Sequence, residues 1–260
     1  MTTPSPSRFS SACRTRWLAR LAKAALFALP ALGQAWAAPA FEDSIAQRTM
    51  ACTACHGAQG RAGPDGYYPR LAGKPAGYLY NQLINFRDGR RHYGLMTQLV
   101  DPLSDAYLME IARYFSALDL PYPPPAKPAA AADVLQRGQA LVRQGDAARG
   151  VPACVSCHGP AMTGVAPFVP GLLGLPRDDL NAQLGAWRSG QRRAHAPDCM
   201  AQVVAQMSDP DIHAVTSWLA AQAVAAGGAG VKPATALPPA PPGQALPVCG
   251  TAPAPPGARP

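Results

Sequence analysis

Apolar residues recur three and four positions apart over most of the chain beyond residue 41, and no alternating run of strand type is sustained. That pattern predicts helices throughout. Leu79, Leu83 and Phe86 share one face of a helix that Gly89 would end. Ser104, a good N-cap followed by the acidic Asp105, opens another helix whose apolar side carries Leu108, Ile111, Phe115 and Leu118. Farther along, Leu180, Leu184 and Trp187 repeat the first face, and Ser208, Asp209, Asp211, Val215 and Leu219 repeat the second. Further helices are predicted over Glu42 to Met50 and over Asp133 to Gln144. The fold class expected is all-α, in two small helical domains.

The two halves align residue by residue. Cys52, Cys55 and His56 match Cys154, Cys157 and His158; Pro69, Leu71 and Gly73 match Pro170, Leu172 and Gly174. Gln82-Leu83, Phe86-Arg87 and Gly89 match Gln183-Leu184, Trp187-Arg188 and Gly190, and Met96 matches Met200. A duplication whose offset drifts by only a few residues is what changes in loop length produce. Two Pro/Ala-rich stretches punctuate it and read as semi-rigid linker or tail. The organisation expected is a leader over 1–37, a first domain over 38–120, a linker over 121–132, a second domain over 133–226 and a tail over 227–260 that is expected to be disordered.

The leader places a basic stretch (Arg8, Arg14, Arg16, Arg20, Lys23) before an apolar run from Ala24 to Leu32 and the small-x-small sequence Ala35-Trp36-Ala37. That order is a secretory signal peptide, with an apolar run too short to span a bilayer. Cleavage after Ala37 removes Cys13 and leaves a mature chain with no transmembrane segment in an oxidising compartment, the periplasm. Of 23 Lys and Arg residues five lie in the leader, and none of the 15 Asp and Glu does, so the mature chain carries 18 basic against 15 acidic groups, a net +3. A balance so close to neutral argues against nucleic acid as a partner.

The chemistry sits in two pentapeptides, Cys52-Thr53-Ala54-Cys55-His56 and Cys154-Val155-Ser156-Cys157-His158. Two cysteines about one helical turn apart can add to the two vinyl groups of a haem, and the histidine that follows can ligate its iron. A redox dithiol would come with alternating strands and helices, which the pattern lacks, and a zinc site would have to pool ligands from both halves. Two covalently bound haem c groups are therefore expected. For the sixth ligands Met96 and Met200 stand out, because each lies in the loop after the second helix and each precedes its Ser-Asp helix start by eight positions. Met50, Met109, Met162 and Met207 lack such matched placement and read as packing or surface residues. His92, His195 and Cys199 are rival ligands. Cys199 and Cys249, the remaining mature cysteines, form a disulfide, stay free, or leave Cys199 for the iron.

These motifs resemble the class I c-type cytochromes, in particular the tandem di-haem cytochrome c4 group. The second half carries the likeness most closely, from Gly145 through Pro152-Ala153-Cys154 to His158-Gly159-Pro160; the first shows Gly94-Leu95-Met96, Leu103-Ser104-Asp105 and Ile111 to Phe115. The resemblance implies two tandem cytochrome c domains related by a pseudo-twofold axis, His/Met ligation at both irons, and a periplasmic carrier. It also implies protein redox partners, a bc1-type complex or a dehydrogenase as donor and a terminal oxidase as acceptor. The alternative function is a di-haem redox enzyme, of thiosulfate dehydrogenase or peroxidase type, with one haem not ligated by methionine; Cys199 is the one feature that favours it. Arg87 and Arg188, followed by Arg90-Arg91 and Arg192-Arg193, would pair with haem propionates, form a docking patch, or simply complement helix ends.

Overall fold

A computed structural model describes residues 42–63, 66–224, 231–236 and 246–251. The leader over 1–37 lies outside the described residues. Among them no helix is long and apolar enough to cross a membrane.

The first repeat contains α1 (Ile45–Arg48), α2 (Met50–His56), α3 (Ala76–Arg87), α4 (Gly94–Val100) and α5 (Asp105–Ala117). The second contains α6 (Ala132–Gln144), α7 (Val155–His158), α8 (Arg177–Arg188), α9 (Cys199–Ala205) and α10 (Asp209–Ala220). A two-residue antiparallel pairing of β1 (Gly164–Val165) with β2 (Val169–Pro170) is the departure from an all-helical reading. Met96 and Met200, expected in loops, instead lie in the short helices α4 and α9. In α9 the reason is local: the Asp198 carboxylate accepts from the Ala201 backbone N–H and so supplies an N-cap.

Helix ends follow the sequence signals closely. Ser104 accepts from the Tyr107 N–H to start α5, and Ser208 forms a reciprocal capping box with Asp211 to start α10. Each repeat ties the end of its middle helix to the start of the next. Arg87 donates to Asp105 at 2.6 Å, and Arg188 pairs with Asp209. Both arginines thus spend their charge within the fold.

Each repeat closes its own apolar core, as expected when each half must bury its helices separately. Leu79, Ile84, Phe86, Leu108, Ile111 and Phe115 fill the first; Leu141, Leu180, Val204, Val215, Trp218 and Leu219 fill the second. Met109, Met162 and Met207 are buried as core filler, whereas Met50 is exposed. In the second repeat α6 crosses α10 at Gly138, where a Cβ would stand 2.1 Å from the Ala214 carbonyl oxygen, so only glycine permits the approach. Beside that crossing the buried Asp211 carboxylate accepts from Arg137, Arg149 and Ser208.

The repeats join along a seam. Arg91 bridges antiparallel to Arg192, its own counterpart, flanked by His92 N–H to Gln191 O at 3.0 Å and Arg193 N–H to Arg90 O at 2.6 Å. A residue that pairs antiparallel with its repeat equivalent lies beside a local twofold axis. At the edge of the seam Gly77 meets the Phe168 ring, and the Tyr78 N–H donates to Pro167 O at 3.0 Å. The linker is pinned as well: the buried Arg70 donates to Leu120 O and Pro121 O and stacks on Tyr122, while the Ala126 N–H donates to Ala220 O.

The tail departs from its expected disorder in its described parts. Ala234 bridges to Val165, with Ala166 N–H to Ala234 O at 2.8 Å, and Cys249 is disulfide-bonded to Cys199. Backbone pairing and a covalent link supply what a Pro/Ala-rich composition lacks, and neither is visible in that composition. The rest of the tail lies outside the described residues.

Burial alone would raise the Asp211 carboxyl, but hydrogen bonds from Arg149, Ser208 and Arg137 hold it well below the ordinary 3.8. A carboxylate with a depressed folded value stabilises the fold fully above about pH 5 and loses that contribution as pH falls through the folded value. Asp211→Asn should therefore lower the melting temperature at neutral pH by several degrees. Melting curves taken progressively toward acid should show the gap from wild type narrowing.

Candidate haem-attachment sites

In α2 one helical turn presents Cys52, Cys55 and His56. In the second repeat Cys154 caps α7 in helical conformation and Cys157 and His158 follow on the same turn, with the His158 N–H donating to Cys154 O at 2.9 Å. Both helices stop at a glycine in one conformation, Gly57 at φ 74° and ψ 165° and Gly159 at φ 83° and ψ 154°. A Cβ at Gly57 would stand 2.3 Å from the Ala62 carbonyl oxygen, so this turn needs glycine both for its φ and for its space.

Each histidine is anchored from behind. His56 Nδ1 lies 2.8 Å from Pro69 O, and His158 Nδ1 lies 2.7 Å from Pro170 O. A carbonyl oxygen only accepts, so Nδ1 carries the hydrogen and Nε2 is left with its lone pair. Burial further holds both imidazoles below the ordinary histidine value, which keeps them neutral. A neutral imidazole with its ligating nitrogen free and its other nitrogen hydrogen-bonded is the form that ligates a metal.

The thiols point to thioether chemistry. None of Cys52, Cys55, Cys154 and Cys157 is in a disulfide. Burial raises Cys52 and Cys157 and pushes Cys154 up to about 12. A redox dithiol or a thiolate metal site needs the opposite shift. Among the described residues no group of three or more His, Cys, Asp or Glu side chains converges on a metal site of the zinc type. Thioethers to a haem carry no charge, so burial costs them nothing of this kind.

At the seam the amide oxygens of Gln82 and Gln183 each accept from both Arg91 and Arg192, at 2.6–3.2 Å. Arg192 is buried over the Trp187 ring; Arg91 is partly buried over Phe86. Burial and then the neighbouring Arg192 push Arg91 down to about 9. Lys74 is buried here too, and the carboxylate at hand is Asp179. A surplus of buried positive charge fits the propionate carboxylates that a haem carries.

Sequence comparison agrees with this chemistry. No family model matches the chain. It is 35% identical to cytochrome c4 of Pseudomonas aeruginosa, over 72% of this chain and 92% of that one. The chain belongs to the cytochrome c4 family. It is also 40% identical to a thiosulfate dehydrogenase electron acceptor of Thiomonas intermedia, over 72% of this chain and 85% of that one. The crystal structure of reduced cytochrome c4 from Pseudomonas stutzeri superposes with a TM-score of 0.59 at 32% identity, covering 68% of this chain and 96% of that one. As a cytochrome c4 protein the chain is a di-haem electron carrier with two covalently bound haem c groups, built as two class I cytochrome c domains.

The remaining candidates fall as follows. Met96 and Met200 each pack partly buried against the core of their own repeat, which also holds Cys52 or Cys154. His92 is exposed, its backbone engaged at the seam. His195 is half-buried, and its Nε2 has no hydrogen-bond partner among the described residues. The disulfide to Cys249 removes Cys199 as a thiolate ligand. The sequence reading missed the carbonyls of Pro69 and Pro170 and the bridging role of Gln82 and Gln183. Their recurrence at matching places was the available signal, but a backbone oxygen leaves no trace in residue type.

Replacing Cys154 and Cys157 together by serine should remove one covalent haem of the two. The pyridine haemochrome absorbance per polypeptide should fall by about half.

Proposed function

We propose that this chain is a periplasmic single-electron carrier, exported by its leader over 1–37, with the iron of the first repeat held between His56 and Met96 and that of the second between His158 and Met200. The observation that carries this reading is equivalence: each repeat holds the histidine of its motif through the matching proline carbonyl, Pro69 for His56 and Pro170 for His158, at 2.8 and 2.7 Å. An enzyme of this class needs one dissimilar haem. The feature that would have supplied it, Cys199, is tied to Cys249.

The haem supplies a one-electron couple when bound. The chain's own residues keep the imidazoles neutral and fixed in orientation, exclude water with Leu71 and Leu172 beside the cores, and hold matched cations at the seam. A fixed ligand set minimises rearrangement on electron transfer. Matched sites joined through one seam let an electron pass between repeats without a large change in either.

For the donor we favour a dehydrogenase over a bc1-type complex, and specifically a thiosulfate dehydrogenase. Support comes from the Thiomonas intermedia relative, which carries the name of that enzyme's electron acceptor. A terminal oxidase is the fitting acceptor. With a thiosulfate dehydrogenase and thiosulfate, both haems of the purified holoprotein should reduce in stopped-flow traces. The holoprotein alone with ferricyanide should not oxidise thiosulfate; turnover there would make it the enzyme instead.

Near-infrared magnetic circular dichroism of the ferric protein should show methionine-to-iron charge transfer from two haems. Met96→Leu and Met200→Leu should each remove about half of that intensity and lower the potential of one haem. Undiminished intensity in either variant would refute that methionine as a ligand.

A further inference from the structure

Arg91 and Arg192, Gln82 and Gln183, and Pro69 and Pro170 are repeat equivalents and act on the two sites in like fashion. Lys74 does not. Gly73 and Pro75 match Gly174 and Pro176, so the position equivalent to Lys74 is Leu175, which packs half-buried against the second core. Lys74 is 7% exposed, yet it comes from the first repeat and reaches into the second, donating from Nζ to the Gly171 carbonyl oxygen at 3.3 Å. Gly171 directly follows Pro170, whose carbonyl anchors His158. An ammonium has three donors, and among the described residues one hydrogen bond is found for them.

No side-chain carboxylate pairs with it among the described residues. Asp179 is within electrostatic reach, but its hydrogen bond comes from Gln183 Nε2 at 3.0 Å, and it makes no ion pair with Lys74 among the described residues. Burial first, and then the charges of Arg70 and Arg192, push the Lys74 pKa below the ordinary lysine value, while Tyr78 and Asp179 act to hold it up.

We propose that Lys74 sets the reduction potential of the haem in the other repeat: the buried ammonium of the first repeat, placed behind the Pro170–His158 anchor, raises the potential of the second haem and draws the shared electron toward it. The physical reason is electrostatic. Reduction removes one positive charge from the iron centre, so a cation held nearby in a medium of low dielectric disfavours the ferric state. The inference rests on the second repeat holding its haem through His158.

The test is potentiometry of the holoprotein with each haem followed separately through its hyperfine-shifted methyl resonances, in wild type, Lys74→Gln, Lys74→Met and Lys74→Arg. Lys74→Gln and Lys74→Met should change the electron-sharing equilibrium between the haems about tenfold. For a one-electron couple that is about 59 mV. The whole shift should appear as a fall at the second haem, and Lys74→Arg should hold the wild-type value. Methionine matches lysine in length without its charge, so it serves if the glutamine variant fails to accumulate.

An unchanged second-haem potential in a variant with an intact spectrum would overturn the proposal. Equal shifts at both haems, or a shift in Lys74→Arg as large as in Lys74→Gln, would also overturn it by pointing to a loosened seam. A wild-type protein that lacked a His158-ligated haem would instead defeat the assignment of the site itself.

Discussion

Two guanidinium groups and an ammonium gather where the repeats meet, and like charges do not collect in a protein interior without compensation. Gln82 and Gln183 provide part of it, since each amide oxygen accepts from both arginines and so ties one repeat to the other. The rings of Phe86 and Trp187 provide another part by offering their negative faces to the cations. The balance fits the haem carboxylates. On this view the seam is completed by the cofactors, and the docking of the repeats and the holding of the haems become one electrostatic problem.

The same economy governs the attachment sites. A helix too short to stand alone carries two thiols and an imidazole, and the glycine that ends it turns the chain back so that a proline carbonyl can return to the imidazole. Proline suits that place because it donates no hydrogen bond of its own and fixes the backbone that presents the oxygen. The ring is thereby oriented through the backbone, which moves little, and not through a second side chain, which would have to be ordered in its turn.

What could be read from the sequence was whatever residue type controls. Ser104 and Ser208 as caps and the apolar faces through Leu79 and Leu180 depend on side-chain chemistry at fixed spacing, and the structure has them where they were expected; the two Cys-x-x-Cys-His motifs were legible for the same reason. Placement of Met96 and Met200 in helices was not legible, since a seven-residue helix is too short to impose a period. The pairing of Arg91 with Arg192, the proline carbonyls and the docked tail were hidden for a different reason. Each is a backbone or long-range contact, set by how the repeats meet and not by the residues near it in the chain.

Duplication supplies two equal sites, but an electron held equally by both has no preferred exit. Direction requires some departure from symmetry, and the departures here cluster on the second repeat. Its β1 strand receives Ala234 of the tail, its α9 is strapped through Cys199 to Cys249, and Lys74 reaches into it from the first repeat, where Leu175 offers nothing in return. The disulfide closes next to Met200 and reduces the freedom of the segment that bears it, while Lys74 stands outside the residues that the two repeats share. Both leave the shared scaffold untouched. A duplicated carrier can therefore become directional through a few residues outside the matched set, at little cost to the ligand geometry on which fast transfer depends.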